Sequence, residues 1–366
     1  MEKMRKIPLD EPLFAGNEKK YISECIESGW VSWQGSFVSR FEEAIADYLK
    51  VKYAVTVSTG TAATHMVLAA LGIRSRDEVI VPTMSFITTP GMISSLGAKS
   101  VPVDCSPVRF YLNPVEVRKK ITGRTKAIIA VHLYGRPADM APLSEIAEKN
   151  KIRLIEDCSH SIGAEYNKKK TGSFGDANFF SMHNKIIAAG EGGVITTNDK
   201  DIFEKINYLR SPPEDNRSKN SILNFSYRMS NLQAAVALAQ LEKIDELVAR
   251  RKRNAELYRE FLGKSNSLEI IPEDKDTLSV YWRNNLLLNK KSRISRDLLI
   301  GKLELSGIQA RPVYSPIHMH PFFSNKLNGK FPVAEMLSKN GIDLPSSPKL
   351  TGGEIEFISK KILLFC

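Results

Sequence analysis

Between Tyr53 and Asp157 five short apolar, β-branched runs alternate with four helical stretches. Tyr53–Val57, Asp77–Val81, Lys99–Val103, Thr125–Leu133 and Arg153–Asp157 read as strands. Ala62–Leu71, Phe86–Leu96, Pro114–Ile121 and Pro142–Lys149 read as helices. A strand that returns in parallel needs a crossover about as long as a helix. The pattern therefore predicts an α/β fold with a mostly parallel sheet and helices on both faces. Such sheets bind ligands beyond the carboxyl ends of their strands. Four segments fall there: Ser58–Thr61, Pro82–Thr89, Asp157–Ser161 and the loop that carries Lys185.

That loop lies between two further strand readings, Asn178–Ser181 and Val194–Thr197. Lys185 is followed by two isoleucines and two alanines, and then by Gly190-Glu191-Gly192-Gly193. A lysine beside such apolar sequence is costly to keep charged, so its pKa should fall. A partly neutral lysine is a nucleophile, and its natural electrophile is a carbonyl. The glycines suit a backbone that turns with positive φ or lies against a ligand. The competing reading has Lys185 reaching solvent from a strand end, with the glycines turning a hairpin.

The other strand ends carry complementary chemistry. Ser58-Thr59-Gly60-Thr61 stands where a strand hands over to a helix, as a phosphate cradle or as an ordinary cap. Asp157 closes an apolar strand and needs a cation, either a nearby arginine or a protonated ligand nitrogen. His160 and Phe86 read as core residues or as ligand contacts. A buried lysine, a carboxylate, a phosphate cradle and an aromatic ring together meet the needs of pyridoxal 5'-phosphate.

The flanking sequence is less regular. Residues 17–29 and 36–50 are amphipathic, with Tyr21, Ile22, Cys25 and Ile26 on the first apolar face and Phe37, Phe41, Ile45 and Leu49 on the second. The loop between them holds Trp30 and Trp33, read as core packing or as a platform for a flat ligand. Residues 211–220 lack periodicity and read as a loop. One long helix is expected from Asn231 to about Leu262, followed by short strands (Val280–Leu288) and helices (Ser295–Ser306, Gly353–Ile362). We expect a large α/β domain over 1–245 and a smaller α+β domain over 246–366, a natural division for 366 residues.

Composition excludes several classes. No run of eighteen apolar residues suits a membrane span, and MEKMRKIPLDEPLF lacks a signal-peptide core, so a cytoplasmic protein is expected. Cys25, Cys105, Cys158 and Cys366 show no metal-ligand pairing, and no metal site is expected. The net charge of +11 is scattered rather than clustered, which favours a phosphate-bearing small molecule over nucleic acid.

At the level of whole segments the chain resembles the DegT/StrS family of sugar-nucleotide aminotransferases. The matching stretches include GNEKKYISECIESGWVS, STGTAATHMVLAALGI, DEVIVPTMSFITT, LIEDCSHSIGAEY, GSFGDANFFSMHNK, GEGGVITT, YRMSNLQAAVALAQLEKID and GIQARPVYSPIH. The wording is closest to the family's perosamine-synthase-like branch. The resemblance implies the aspartate-aminotransferase fold (fold type I) and transfer of nitrogen from L-glutamate to a nucleotide-diphosphate 4-keto-6-deoxy sugar, releasing 2-oxoglutarate. It places that reaction in amino-sugar biosynthesis for a surface polysaccharide. It assigns Lys185 to the cofactor's carbonyl, Asp157 to its ring nitrogen, Gly60, Thr61 and Ser181 to its phosphate, Phe86 to stacking, and His160 to the phenolic oxygen. Ser226 stands where many members carry a phosphate-binding asparagine from the neighbouring subunit, so a homodimer with shared sites is implied. Trp30, Ser32, Arg228, Tyr314 and His318 are the matching candidates for substrate contacts. Three departures stand out: Arg76 for a usual glycine, a loop before Lys185 one residue shorter, and Gln309-Ala310-Arg311-Pro312 for a commoner Thr-Arg-Pro. Two alternatives are a sugar dehydratase, disfavoured by Lys185 and by the lack of a cysteine cluster, and a non-catalytic sensor, disfavoured by the lack of a helix-turn-helix.

Overall fold

The alternation builds one seven-stranded sheet in the computed structural model, which describes residues 6–211, 224–324, 327 and 329–366. Its strands are β1 (Tyr53–Val57), β2 (Glu78–Pro82), β3 (Lys99–Val103), β4 (Thr125–Val131) and β5 (Arg153–Asp157). After a small hairpin, β6 (Glu165–Tyr166) and β7 (Lys169–Lys170), the sheet resumes with β8 (Ala177–Ser181) and β9 (Gly193–Thr197). In space the order is β1-β9-β8-β5-β4-β2-β3. Pairs among β3, β2, β4, β5 and β8 are parallel, while β9 runs antiparallel to both neighbours.

The sheet is covered on both faces, which explains its unbroken apolar runs. Within β2, Val79 and Val81 face one core and Ile80 the other. Within β4, Ala127 and Ile129 are separated in the same way from Ile128 and Ala130. Helices α1 (Glu18–Glu27), α2 (Ser36–Leu49), α3 (Gly60–Ala70) and α4 (Thr88–Ser95) belong to the first core. Helices α5 (Pro114–Lys120) and α6 (Met140–Asn150) belong to the second.

Helix α7 (Lys200–Arg210) is absent from the sequence reading, yet it carries a readable signal. Asp199 caps it by accepting from Asp201 N and Ile202 N, and Ile202, Ile206 and Leu209 form its buried stripe. The long helix expected from Asn231 is two helices, α8 (Asn231–Leu241) and α9 (Ile244–Leu262). They break where the Glu242 carboxylate accepts from Tyr21 Oη (2.6 Å) and Asn17 Nδ2 (2.7 Å), and Lys243 leaves helical geometry at φ −111°. Of the loop read over 211–220, all but Ser211 lies outside the described residues.

The remaining elements are β10 (Leu268–Ile270), β11 (Thr277–Leu278), β12 (Asn284–Leu288), α10 (Arg296–Leu305), β13 (Arg311–Pro312), α11 (Pro332–Asn340), β14 (Gly341–Leu344) and α12 (Gly352–Phe365). Four of them make an antiparallel sheet, β10-β12-β14-β13, over a core that includes Leu262, Leu303, Ile342 and Ile358. Ile7 joins this core as well, bridged to Ile308. Strand β11 pairs back onto β6, so a small three-stranded sheet, β11-β6-β7, ties this half of the chain to the first. Among the described residues no helix is long and apolar enough to cross a membrane.

Glu156 of β5 anchors the loop before β8. It is fully buried, meets His132 Nε2 at 2.9 Å, and accepts from the amides of Gly172, Phe174 and Gly175 at 2.7–3.0 Å. Glu156→Ala strands the buried Gly172 amide, leaves the part-buried Phe174 amide without its acceptor and Gly175 N with Asn178 alone, and so should cost about 2 kcal/mol or more. Chemical denaturation followed by circular dichroism would measure the loss, and an unchanged midpoint would refute this role.

Candidate active site

The ends of four strands, β1, β2, β4 and β5, meet the β8–β9 hairpin in a cleft of about 330 Å³. Gly60, Thr61, Phe86, Asp157, His160, Ser181 and Lys185 all line it. A larger, shallower groove of about 1120 Å³ runs past Arg153, Asp176 and Asp199. There Arg153 is already paired with Asp176 at 2.6 Å, and none of the predicted site residues is present.

The cradle arises where α3 begins. Thr59 caps the helix, its Oγ1 accepting from Ala62 N at 3.0 Å. The first amides of any helix lack intrahelical acceptors and point outward with the positive end of the dipole. Gly60 is required by close approach, since a Cβ there would lie 2.6 Å from Ser181 Cβ. The missing side chain lets the start of α3 meet the end of β8. Across the hairpin, Gly192 turns at φ +130°, a backbone that glycine adopts freely.

Asp157, at the end of β5, accepts from Ser159 N (3.0 Å) and from Thr89 Oγ1 (3.4 Å). Burial pushes its pKa up, while Ser159, His132 and Lys185 hold it down. Among the described residues no arginine pairs with it, so the salt-bridge reading of this carboxylate does not hold. One of its oxygens thus has a weak, long contact and faces the cleft wall that Asp157 shares with Lys185.

Lys185 sits in the β8–β9 hairpin, with Nζ 3.3 Å from His160 Nε2 and 4.0 Å from the ring centre of Trp282. Its pKa is lowered to about 8, first by burial and then by Arg283, with Asp157 opposing. The direction is the one expected from the sequence, and the half-buried side chain turns its amine to His160 and Trp282. His160 Nδ1 accepts from Tyr134 N at 3.3 Å, which puts the neutral ring's proton on Nε2, facing the amine. Burial, followed by Lys185 and two arginines, holds that ring well below its usual pKa and keeps it neutral. The imidazole stacks on Trp282 at 3.9 Å.

Phe86 is half exposed at the cleft mouth, where an apolar ring awaits a flat partner. Tyr314 stands beside it, 5.9 Å from Phe86 and 6.1 Å from His160. Tyr314, from the segment Pro312 to His318, thus stands beside its own chain's cleft. His318 is occupied elsewhere, with Nδ1 2.6 Å from Thr83 Oγ1 and Nε2 3.3 Å from Glu335. Four other candidates lie outside the cleft. Ser226 is exposed at φ +53° and accepts from Arg228 at 2.7 Å, and the Arg228 guanidinium covers Trp33 at 4.8 Å. Trp30 is 55% exposed, so it does not pack in the core; its carbonyl and that of Ser32 are bonded to Asn231. The sequence does not single out Trp282, Tyr134 or Arg283, since the two aromatic rings read as core and Arg283 nears Lys185 only through the fold; Thr89 falls within the Pro82–Thr89 segment without a role of its own.

The arrangement fits pyridoxal 5'-phosphate. A helix terminus with a hydroxyl beside it matches a phosphate, a buried carboxylate matches a ring nitrogen, and a half-neutral amine matches a carbonyl. His132, Glu156 and Cys158 are grouped closely enough to hold a metal ion. However, His132 is already committed on both sides, to Glu156 and to Ala138 N at 2.9 Å.

The lysine's titration can be read directly. In cofactor-free protein, acetylation of Lys185 followed by mass spectrometry should rise with pH through about 8. A solvated lysine would rise nearer 10.4. A midpoint at that higher value would show that the amine is not buried as described.

Comparison with known proteins agrees with this geometry. The DegT/DnrJ/EryC1/StrS aminotransferase family matches residues 13–363. The chain is 38% identical to the GDP-perosamine synthase of Escherichia coli O157:H7 over 363 residues, 98% of each protein. It is 39% identical to the enzyme of the same name from Caulobacter vibrioides over 360 residues, 97% of each. Its fold is similar to Helicobacter pylori PseC, an aminotransferase involved in the biosynthesis of pseudoaminic acid, with a TM-score of 0.94, 26% identity and 99% of each chain covered. With one family signature spanning all but the ends and relatives matching at full length, this chain belongs to the DegT/DnrJ/EryC1/StrS aminotransferase family.

Proposed function

We propose that this protein is a pyridoxal-phosphate-dependent aminotransferase that moves the amino group of L-glutamate to a nucleotide-linked 4-keto-6-deoxy sugar. The product would be a 4-amino sugar for surface polysaccharide, with 2-oxoglutarate released. One observation carries the reading: Lys185 Nζ, half neutral near pH 8, opens into the same cleft as Asp157 and the Gly60–Ser181 cradle. The full-length likeness to two proteins named GDP-perosamine synthase supports the sugar class and favours a GDP-linked substrate.

When bound, pyridoxal phosphate supplies a carbonyl that takes up nitrogen and a ring that delocalises the electrons left when a C–H bond breaks. The chain supplies the rest. The amides of Gly60 and Thr61, with Ser181, bind the phosphate. Asp157, poised between burial and its hydrogen bonds, holds a proton on the ring nitrogen. Phe86 covers the ring face, and His160 Nε2–H donates to an oxygen or amine beside Lys185. Lys185 Nζ would be the base that shuttles a proton between the cofactor's carbon and the substrate's, once for the donor and once for the acceptor. This lysine also argues against the histidine-bearing type of sugar dehydratase.

Turnover is tested by 2-oxoglutarate release with glutamate and GDP-, UDP- or dTDP-linked 4-keto-6-deoxy sugars. We expect the GDP sugar to be aminated. Lys185→Ala should remain folded and lose the reaction by many powers of ten. Product formation by Lys185→Ala at the wild-type rate, or no product from any sugar, would refute the assignment.

Arg228, Ser226, Trp30 and Ser32 lie away from their own chain's cleft, which supports a role at the cleft of a second copy in a two-fold homodimer. Mixing inactive Lys185→Ala with inactive Arg228→Ala should then restore part of the activity as subunits exchange. An active monomer in sedimentation would rule out this shared-site arrangement.

A further inference from the structure

We propose that Asp10 is a positioning residue for Lys185, acting through Arg251 and Arg283. The proposal rests on Lys185 being the lysine that bonds the cofactor. The N-terminal arm is laced onto the second half of the chain on both sides of Asp10. Before it, Ile7 N donates to Gly307 O (2.8 Å), Gln309 N to Ile7 O (2.9 Å), and Leu9 N to Gln309 Oε1 (2.9 Å). Ser346 N donates to Leu9 O (2.9 Å) and Ser347 Oγ to Glu11 O (3.0 Å).

Held in this way, Asp10 turns a side chain only 4% exposed between two arginines that are 2% and 6% exposed. Its carboxylate meets Arg283 Nη1 at 2.6 Å and Arg251 Nη2 at 3.2 Å. Two buried guanidinium groups without that carboxylate would be uncompensated charges. Each arginine then acts on the lysine from a different side. Arg251 Nη2 reaches the backbone carbonyl of Lys185 at 3.5 Å, while its Nη1 donates to Ser346 O at 2.6 Å. Arg283 lies 4.1 Å from the ring centre of Trp282, the same ring that Lys185 Nζ approaches at 4.0 Å. A single carboxylate thus fixes both the lysine's main chain and the cation beside its amine.

The triad carries one net positive charge, and its parts push the amine in opposite directions. Arg283 and Arg311 disfavour a proton on Nζ, Asp157 and Asp10 favour it, and His160 faces it as a neutral ring. Asp10→Asn keeps the shape and removes the negative charge, so Lys185 should hold its proton less firmly. Arg283→Met leaves Asp10 paired with Arg251, so Lys185 should hold it more firmly.

The measurement is a pH titration of the cofactor-loaded enzyme, following the visible absorbance that reports protonation at Nζ. The midpoint should fall by about half a pH unit or more in Asp10→Asn and rise by a similar amount in Arg283→Met, the scale of one charge several ångströms away. If Asp10→Asn does not fold, the direction of the Arg283→Met shift decides. A folded variant with reduced thermal stability but a wild-type midpoint would reduce the triad to a structural brace and overturn the proposal. If even the wild-type protein shows no visible band, the cofactor reading fails instead. The acetylation profile of Lys185 in the same variants then tests the triad by itself.

Discussion

Everything at the cleft depends on a half-buried amine held between two cations and two anions. Burial and Arg283 lower the lysine's affinity for a proton, and Asp157 and Asp10 return part of it. The balance leaves the group near the middle of its titration at the pH where an enzyme works, useful both for attacking a carbonyl and for carrying a proton. His160 completes the balance by staying neutral. A charged imidazole 3.3 Å from the amine would add a third cation and suppress lysine protonation further.

Much of this was legible in the chain because it is local or periodic. The strands at 53–57, 99–103 and 153–157 are where the β-branched runs place them, and the rule that ligands sit at strand ends picked out Gly60, Asp157 and Lys185 before any coordinates. The rest is not local. Trp282 reads as one more apolar residue in a strand, and only the crossing of the two halves of the chain brings its ring beneath Lys185. Asp10 sits in a proline-broken stretch, Ile7 to Phe14, with no periodicity, and its importance comes from two arginines distant in sequence. The break between α8 and α9 was hidden for a similar reason, since Glu242 bonds to the distant Tyr21 and Asn17 and the next residue, Lys243, leaves helical backbone.

The departures from the family pattern acquire physical content. Arg76, which stands in for a usual glycine, occupies left-handed backbone at φ +73°, the conformation for which glycine is the natural choice. Ser226, in place of an asparagine, is likewise left-handed at φ +53° and bonds to Arg228 on the surface. Arg311 leans on Asp343 at 3.0 Å and so belongs to the small sheet as much as to the cleft.

The strand order has a further consequence, for synthesis of the chain. β1 is an edge strand whose one partner in the sheet is β9, so Tyr53–Val57 has nothing to pair with until Gly193–Thr197 has been made. The contact of Gly60 with Ser181 must wait equally long. While the chain emerges from the ribosome, β2 to β5 can assemble in sequence, but the phosphate cradle closes late, by a long-range pairing of the slow kind. The Asp10 arm waits longer still, for Arg283 and Ser346. Residues 7–11 are therefore among the last to find their places, and the nascent chain completes its fold and its active site together.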